Sequence, residues 1–206
     1  MFSDTSRYCT ADFSAWEHLR RDAELESLRF LSITPCEKPD LSLARAFSKQ
    51  ASAIAIDIGR DPACWEAIFS GISLISSSCC GIRIPDHVEI NPDEVPDAVA
   101  FVILGAECEL KKWRARFPVV VQVTSLEQAK SALAGGALGL IAKGPESGGQ
   151  VGDESSFILL QRILELKAAS KVPVWCQGGI GFHSAAGAFA GGAFGVVLDS
   201  QLALLA

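Results

Sequence analysis

The chain has 206 residues, of which 49% are hydrophobic and 20% are charged, and its formal net charge is -6. This apolar balance excludes an intrinsically disordered chain, which needs low hydrophobicity and high charge. The acidic charge disfavours binding to nucleic acid or to an anionic membrane surface, because both require a surplus of Lys and Arg.

The predicted elements begin with a polar segment, residues 12–28, whose composition favours a helix. From residue 28 onward, short runs rich in β-branched residues alternate with helical stretches. The predicted strands are 29–34, 53–58, 80–84, 98–104, 118–123, 138–142, 172–176 and 194–198. The predicted helices are 41–50, 62–71, 107–116, 126–134, 155–170 and 183–190, and the connection 86–96 predicts only a loop or one short turn.

Most of these strands are continuously apolar, which is typical of parallel strands covered on both faces. Eight strand–helix units in succession predict a (β/α)8 TIM barrel, and a flavodoxin-like open sheet is the alternative. The chain is short for such a barrel and ends just past the eighth strand, so a full eighth helix is not expected. We expect residues 1–27 to form an N-terminal helical extension and residues 28–206 to form the barrel domain; alternatively, the chain is the front piece of a longer polypeptide.

Local sequence patterns support these boundaries. Thr124 or Ser125 is expected to cap the helix that starts at residue 126. The segment 132–141, A-L-A-G-G-A-L-G-L-I, is repeated as A-F-A-G-G-A-F-G-V-V at 188–197. We interpret this repeat as two equivalent barrel units, although any two strand–helix units share such a helix–Gly–strand order.

The cysteine and histidine content excludes several kinds of site. Seven cysteines are scattered without a repeating interval, no C-x-x-C motif occurs, and the three histidines lie far apart. Neither a disulfide framework nor a structural zinc site is therefore predicted. The N-terminus lacks the basic and apolar regions of a secretory signal, and no apolar stretch is long enough to span a bilayer. We expect a reduced, cytoplasmic protein.

The active site of a TIM barrel lies at the carboxyl ends of its strands. Polar, glycine-rich segments follow the last three predicted strands at 143–152, 177–181 and 199–201. Gly178, Gly179 and Ser200 predict a phosphate cradle, since loops after strands seven and eight often bind phosphate and glycine lets backbone N–H groups approach an anion. The alternative is that these glycines only allow tight turns.

These segments resemble a known family over residues 118–200. The nitronate monooxygenase family, formerly called 2-nitropropane dioxygenases, includes FMN-dependent enoyl-acyl-carrier-protein reductases. It is similar to this chain in V-V-V-Q-V-T-S-L-E-Q-A-K-S-A-L-A-G-G-A-L-G-L-I-A-K-G-P-E-S-G-G-Q at 119–150, in P-V-W-C-Q-G-G-I-G at 173–181 and in G-V-V-L-D-S at 195–200. The variant K-G-x-E-S-G-G-x-V-G resembles family members fused to polyketide or polyunsaturated-fatty-acid synthases.

The resemblance implies FMN as the cofactor, with its phosphate on Gly178, Gly179 and Ser200. It also implies that Gly148 and Gly149 lie against the flavin, and that Lys143 and Glu146 lie near it.

The chain departs from the family pattern at three places. Gln150 takes the position of the catalytic histidine, and an amide cannot act as a general base near neutral pH. Asp199 replaces a glycine beside the phosphate. Residues 32–37 lack the glycines that usually follow the first strand.

The resemblance implies a small-molecule or acyl-thioester substrate and an FMN-dependent oxidoreductase, of the nitronate monooxygenase or enoyl reductase type. The implied partners are the remainder of a multidomain synthase or a second copy of the chain. One alternative is a non-catalytic structural or docking barrel that has lost the histidine. Another is a Schiff-base lyase, since barrel aldolases carry their reactive lysine on the sixth strand, as Lys143 is here. Lys143 is otherwise expected to contact flavin or substrate, or to lie solvated at the rim.

Other polar residues within the apolar strands also require partners. Gln122 and Gln177 are expected to line the ligand site or to bond a loop backbone, and we assign Gln122 to the cofactor site. Asp57 and Arg83 predict either a substrate-binding pair at the barrel mouth or an internal salt bridge. His183 is expected at the surface or at a helix cap, whereas Cys36 and Cys176 are expected to be small buried residues.

Overall fold

The computed structural model describes residues 28–35, 41–48, 53–75, 80–199 and 201–202. Within these residues, eight parallel strands pair in chain order, and β1 also pairs with β8 to close the barrel. The strands are β1 Phe30–Ile33, β2 Ala53–Asp57, β3 Cys80–Ile84, β4 Val102–Gly105, β5 Val119–Val123, β6 Gly139–Lys143, β7 Val174–Gln177 and β8 Gly195–Leu198. The predicted (β/α)8 barrel is confirmed, and the open-sheet alternative is excluded.

Helices surround the strands on the outside of this barrel. They are α1 Leu41–Ser48, α2 Trp65–Ser73, α3 Leu110–Trp113, α4 Leu126–Gly135, α5 Ser156–Leu164 and α6 Phe182–Ala190. Ser125 caps α4, since its hydroxyl accepts a hydrogen bond from the backbone N–H of Gln128 at 3.2 Å. The connection from β3 to β4 contains one 3₁₀ turn at Pro92–Glu94, as predicted for 86–96.

Two predicted helices are shorter in the structure. The helix predicted at 107–116 is reduced to the single turn α3, because Trp113 and Phe117 pack into the core before β5 begins. The helix predicted at 155–170 ends at Leu164, and a separate 3₁₀ turn at Ala169–Lys171 buries Ala169 in the core. Tertiary packing outweighs helix propensity at both places.

The alternation of side chains along each strand divides the core into two parts. One apolar cluster fills the inside of the barrel and includes Ala55, Val120, Ile141, Trp175 and Val197. The larger cluster contains the outward-facing strand residues and the helix residues that pack on them. The inner cluster therefore forms a packed floor beneath the mouth of the barrel.

In the part of the chain that the structure describes, no helix is long and apolar enough to cross a membrane. The predicted N-terminal extension, residues 1–27, lies outside the described residues.

Candidate active site at the barrel mouth

A layer of polar side chains lies above the apolar floor, at the carboxyl ends of the strands. Five of its members follow an inner-cluster residue by two positions, and Arg83 follows Gly81 in the same way, so the strand alternation points each of them into the barrel. The polar layer consists of Asp57 on β2, Arg83 on β3, Gln122 on β5, Lys143 on β6, Gln177 on β7 and Asp199 directly after β8. All but the half-buried Asp199 are buried.

A chain of hydrogen bonds connects five of these side chains across the mouth. Arg83 Nη1 donates to Asp57 Oδ2 at 2.6 Å, and Arg83 Nε donates to Gln122 Oε1 at 3.1 Å. Gln122 Nε2 donates to Gln177 Oε1 at 2.7 Å. Gln177 Nε2 then donates to Asp199 Oδ2 at 2.7 Å. The two glutamines predicted to line the ligand site therefore belong to one network. Among the residues that the structure describes, the side chain of neither glutamine hydrogen-bonds the backbone of a loop.

Asp57 and Arg83 form the internal salt bridge that was one of the two predicted alternatives. The second Asp57 oxygen accepts from the backbone N–H of Gly59 at 2.9 Å, and the Asp57 N–H donates to Thr34 Oγ1 at 2.9 Å. The bonds from Arg83 and Gly59 satisfy a carboxylate charge that would be costly to bury alone, and the bond to Thr34 satisfies the Asp57 backbone N–H. Both members of the pair also line the mouth cavity, so the second alternative, a substrate-binding pair, stays open.

The cavity at the mouth has a volume of about 210 Å³. All six members of the polar layer line it, together with Thr34, Gly148 and Gly149. Lys143 is only 4% exposed, so the expectation of a solvated rim lysine is wrong. Its ammonium nitrogen would lie 3.4 Å from a Cβ placed on Gly149, so the loop after β6 passes directly over the lysine.

Gln150 lies on the same loop and is exposed. It lines a small second cavity, of about 20 Å³, that shares Gln122 and Lys143 with the first. Asp86 also lines this cavity, and its buried Oδ1 has no hydrogen-bond partner among the residues described. The sequence interpretation missed Asp86, although its position directly after β3 and Pro85 was the available signal.

The predicted phosphate cradle falls on the turn that follows β7. Gly178 and Gly179 adopt φ values of +120° and +59°, which other residues rarely take, so this turn requires glycine. Glu146 lies against it, because a Cβ on Gly178 would be 3.1 Å from Glu146 Oε2. The same oxygen accepts from the backbone N–H of Ser156, at the start of α5, at 3.3 Å. Ser200 lies outside the described residues.

Two further predicted residues lie where they were expected. His183 is exposed near the start of α6 and is not part of the polar layer. Cys176 is buried on β7, and this burial raises the pKa of its thiol. Such a thiol is a poor nucleophile near neutral pH. Cys36 lies outside the described residues.

Comparison with protein families finds one matching model, described as nitronate monooxygenase, over residues 46–205. This range contains every member of the polar layer and both glycine loops. No curated protein sequence matches the chain.

Solved structures share the barrel. FabK from Thermotoga maritima has 25% identity and a TM-score of 0.69, over 86% of this chain and 60% of that one. Thiamine phosphate pyrophosphorylase from Pyrococcus furiosus has 24% identity and a TM-score of 0.62, over 85% and 87%. Nitroalkane oxidase from Streptomyces ansochromogenes has 20% identity and a TM-score of 0.63, over 84% and 65%. The chain thus spans about 60% of the length of FabK, and the two less similar structures show the fold alone.

Proposed function

Given that the chain belongs to the nitronate monooxygenase family, we propose that its barrel binds FMN and carries out oxidoreductase chemistry at the barrel mouth. The observation that carries this proposal is the buried polar layer, which lines one cavity between the glycine loops after β6 and β7. A cavity with a few convergent polar groups is the usual form of a small-molecule site.

The residues of the mouth fit the ring of a flavin. One edge of that ring carries carbonyl oxygens and ring nitrogens, which need hydrogen-bond donors. Arg83 and Lys143 are donors only, and each glutamine amide nitrogen carries a second N–H beyond the one in the network. At about 210 Å³ the cavity is smaller than most ligand pockets. It therefore suits a ring or a small molecule, with the rest of the cofactor outside it.

The turn at Gly178 and Gly179 is the proposed phosphate site. Gly179 is exposed, so an anion can approach its backbone closely, whereas Gly178 is buried beneath the loop after β6. The carboxylate of Glu146 would repel a phosphate there, but Glu146 is exposed and is held by one long hydrogen bond at 3.3 Å. Moving such a side chain costs little free energy, so the carboxylate does not prevent the turn from taking an anion.

When bound, FMN supplies the redox chemistry, and the protein supplies binding, orientation and electrostatics. Lys143 and Arg83 place positive charge in a buried cavity, where it stabilises negative charge that develops on a ligand. The amide of Gln150 cannot act as a general acid or base near neutral pH, so its proposed role is to bind a ligand through hydrogen bonds. Glu146 is the proposed acid–base group of the rim, because its carboxyl lies on the same loop and against the turn after β7.

The finer proposal for the substrate rests on the motif resemblance. We propose a small molecule or an enoyl group carried as an acyl thioester, delivered by a polyketide or fatty-acid synthase system. We also propose that the protein is cytoplasmic and that it acts with the rest of such a synthase or as a homo-oligomer. Residues 1–27 are proposed to form an extension that is separate from the barrel.

The test of FMN binding is the visible absorption spectrum of the purified protein, before and after FMN is added. We expect a yellow protein with one FMN per chain, and a variant with Gly178 changed to Ala that binds FMN more weakly. Gly187→Ala is the matched control, because Gly187 lies on α6 and does not line the mouth cavity, and a Cβ there meets nothing within 4 Å. A colourless wild-type protein that takes up no FMN contradicts the proposal and favours the non-catalytic barrel, which the glutamine at position 150 also favours.

The burial of Lys143 favours a second candidate activity, a Schiff-base lyase. A lysine amine in a buried cavity can add to a carbonyl carbon, form a carbon–nitrogen double bond and release water. Borohydride then reduces the imine and leaves a stable mass increase on the lysine. Labelling of the wild type with a small carbonyl compound, and its loss in Lys143→Met, would support this candidate; an unlabelled protein would exclude it for that compound.

A further inference from the structure

Three hydrogen bonds cross the barrel mouth in one direction, from Arg83 through the two glutamines to Asp199. An arginine side chain can only donate hydrogen bonds, and an ionised carboxylate can only accept them. A glutamine amide can do both, but it must turn its oxygen to a donor and its nitrogen to an acceptor. The two ends of the chain therefore permit only one orientation of each amide.

We propose that Asp199 is a positioning residue that fixes this direction. As the terminal acceptor, it holds the nitrogen of Gln177 and keeps the Gln177 oxygen turned to Gln122. Each amide then has its oxygen engaged within the chain and a second N–H left for the cavity that both residues line. This polarity selects a ligand whose edge carries acceptors, such as carbonyl or nitro oxygens. The consequence for ligands rests on the proposed function; the direction of the chain rests on the geometry alone.

The charge of a carboxylate at this place opposes the ligands that the amides bind. Asp199 lines the same cavity as the acceptor-binding amides, and its negative charge repels electron-rich ligand atoms. A residue that served only to favour such ligands by charge would not be acidic. The hydrogen bond of 2.7 Å to Gln177 Nε2 supplies the physical reason, since a charged acceptor binds an N–H more strongly than a neutral one.

The test is a double-mutant cycle between Gln122 and Asp199, which are joined through Gln177. Gln122→Glu puts an acceptor on both sides of Gln177, because the carboxylate introduced at position 122 and the carboxylate of Asp199 then both require its nitrogen. Adding Asp199→Asn removes the conflict, since the new amide can donate to the Gln177 oxygen. The double variant has the same net charge as the wild type, so total charge cannot explain its behaviour.

The first readout is the unfolding equilibrium constant of the cofactor-free full chain in urea. We expect the effect of Asp199→Asn on this equilibrium constant to favour the folded state by about tenfold more in the Gln122→Glu background than in the wild type. Gln150→Glu is the matched control, because it puts the same carboxylate on the rim outside the chain of bonds. Its combination with Asp199→Asn should be additive to within about twofold. Additivity in both cycles would overturn the proposal.

The second readout is FMN affinity, measured by quenching of flavin fluorescence. The double variant regains stability but presents a carboxylate oxygen where Gln122 had its N–H, so we expect FMN to bind at least about tenfold more weakly than to the wild type. Recovery of FMN affinity together with stability would overturn the positioning role and leave Asp199 a structural residue. If the wild type binds no FMN, the proposed function fails, and the urea cycle still decides the direction of the chain.

Discussion

Removal of the Asp57 carboxylate should destabilise the protein far more than removal of a surface carboxylate in a similar ion pair. Asp57 and Asp97 each bind an arginine, at 2.6 Å to Arg83 and 2.5 Å to Arg116. Their environments differ, since the side chain of Asp57 is 1% exposed and that of Asp97 is 94% exposed. The two pairs therefore form a matched comparison of the same chemistry inside and outside the barrel.

The expected magnitudes follow from burial. Asp57→Ala removes the carboxylate that accepts from the buried Arg83 guanidinium, and it also removes the acceptor of the Gly59 N–H. Breaking such a buried pair costs about 3–5 kcal/mol. Asp97→Ala leaves an arginine that water can solvate, and this costs less than about 1 kcal/mol.

The assay is equilibrium urea denaturation of both variants and of Asp57→Ala combined with Arg83→Met. The double variant should be more stable than Asp57→Ala alone, because it removes the uncompensated charge. Equal costs for Asp57→Ala and Asp97→Ala, or a double variant less stable than the single one, would refute the view that burial of the pair determines its effect.

Three further predictions follow from particular contacts. Gly105→Ala should lower the free energy of unfolding in urea by about 1–3 kcal/mol, since its Cβ would lie 1.6 Å from Asp86 Oδ1. Adding Asp86→Ala should restore most of this stability, and a failure to restore it would show that the strain lies elsewhere. Stability should fall as pH rises above about 9, because burial raises the pKa of Cys176 above its ordinary 9.0 and the unfolded thiol ionises first; Cys176→Ala should reduce that slope, and an unchanged slope would exclude this thiol as a source. Gly178→Ala should be less stable than Gly148→Ala, since only Gly178 has a φ of +120°; equal stability would show that the turn tolerates a side chain.

The order of strands in the barrel was predictable because its signal is local. Apolar runs of β-branched residues are separated by glycines and helix caps, and each run had to be covered on both faces. The caps and the glycine turns were also predictable, for example Ser125 on α4. The lengths of α3 and α5 were not, because those helices end where neighbouring segments pack, and their own sequences would allow them to continue.

The polar residues of the site could be found in the sequence, but their partners could not. A polar residue two positions after an inward-facing apolar one, as Gln122 is after Val120, had to face into the barrel. The sequence left open whether Asp57 met Arg83 and whether Lys143 was solvated. Asp86 escaped notice because its buried oxygen becomes evident only when Gly105 of the next strand lies against it.

The sequence by itself determined the parallel barrel and the family, and it predicted the end of the barrel for the candidate site, because periodicity and short motifs are read along the chain. Only the tertiary structure decided that residues as distant as Gln122 and Gln177 bond each other, and that the Asp199 carboxylate ends their chain. The physical reason is that hydrogen-bond geometry depends on the register and closure of all eight strands. No single segment contains that information.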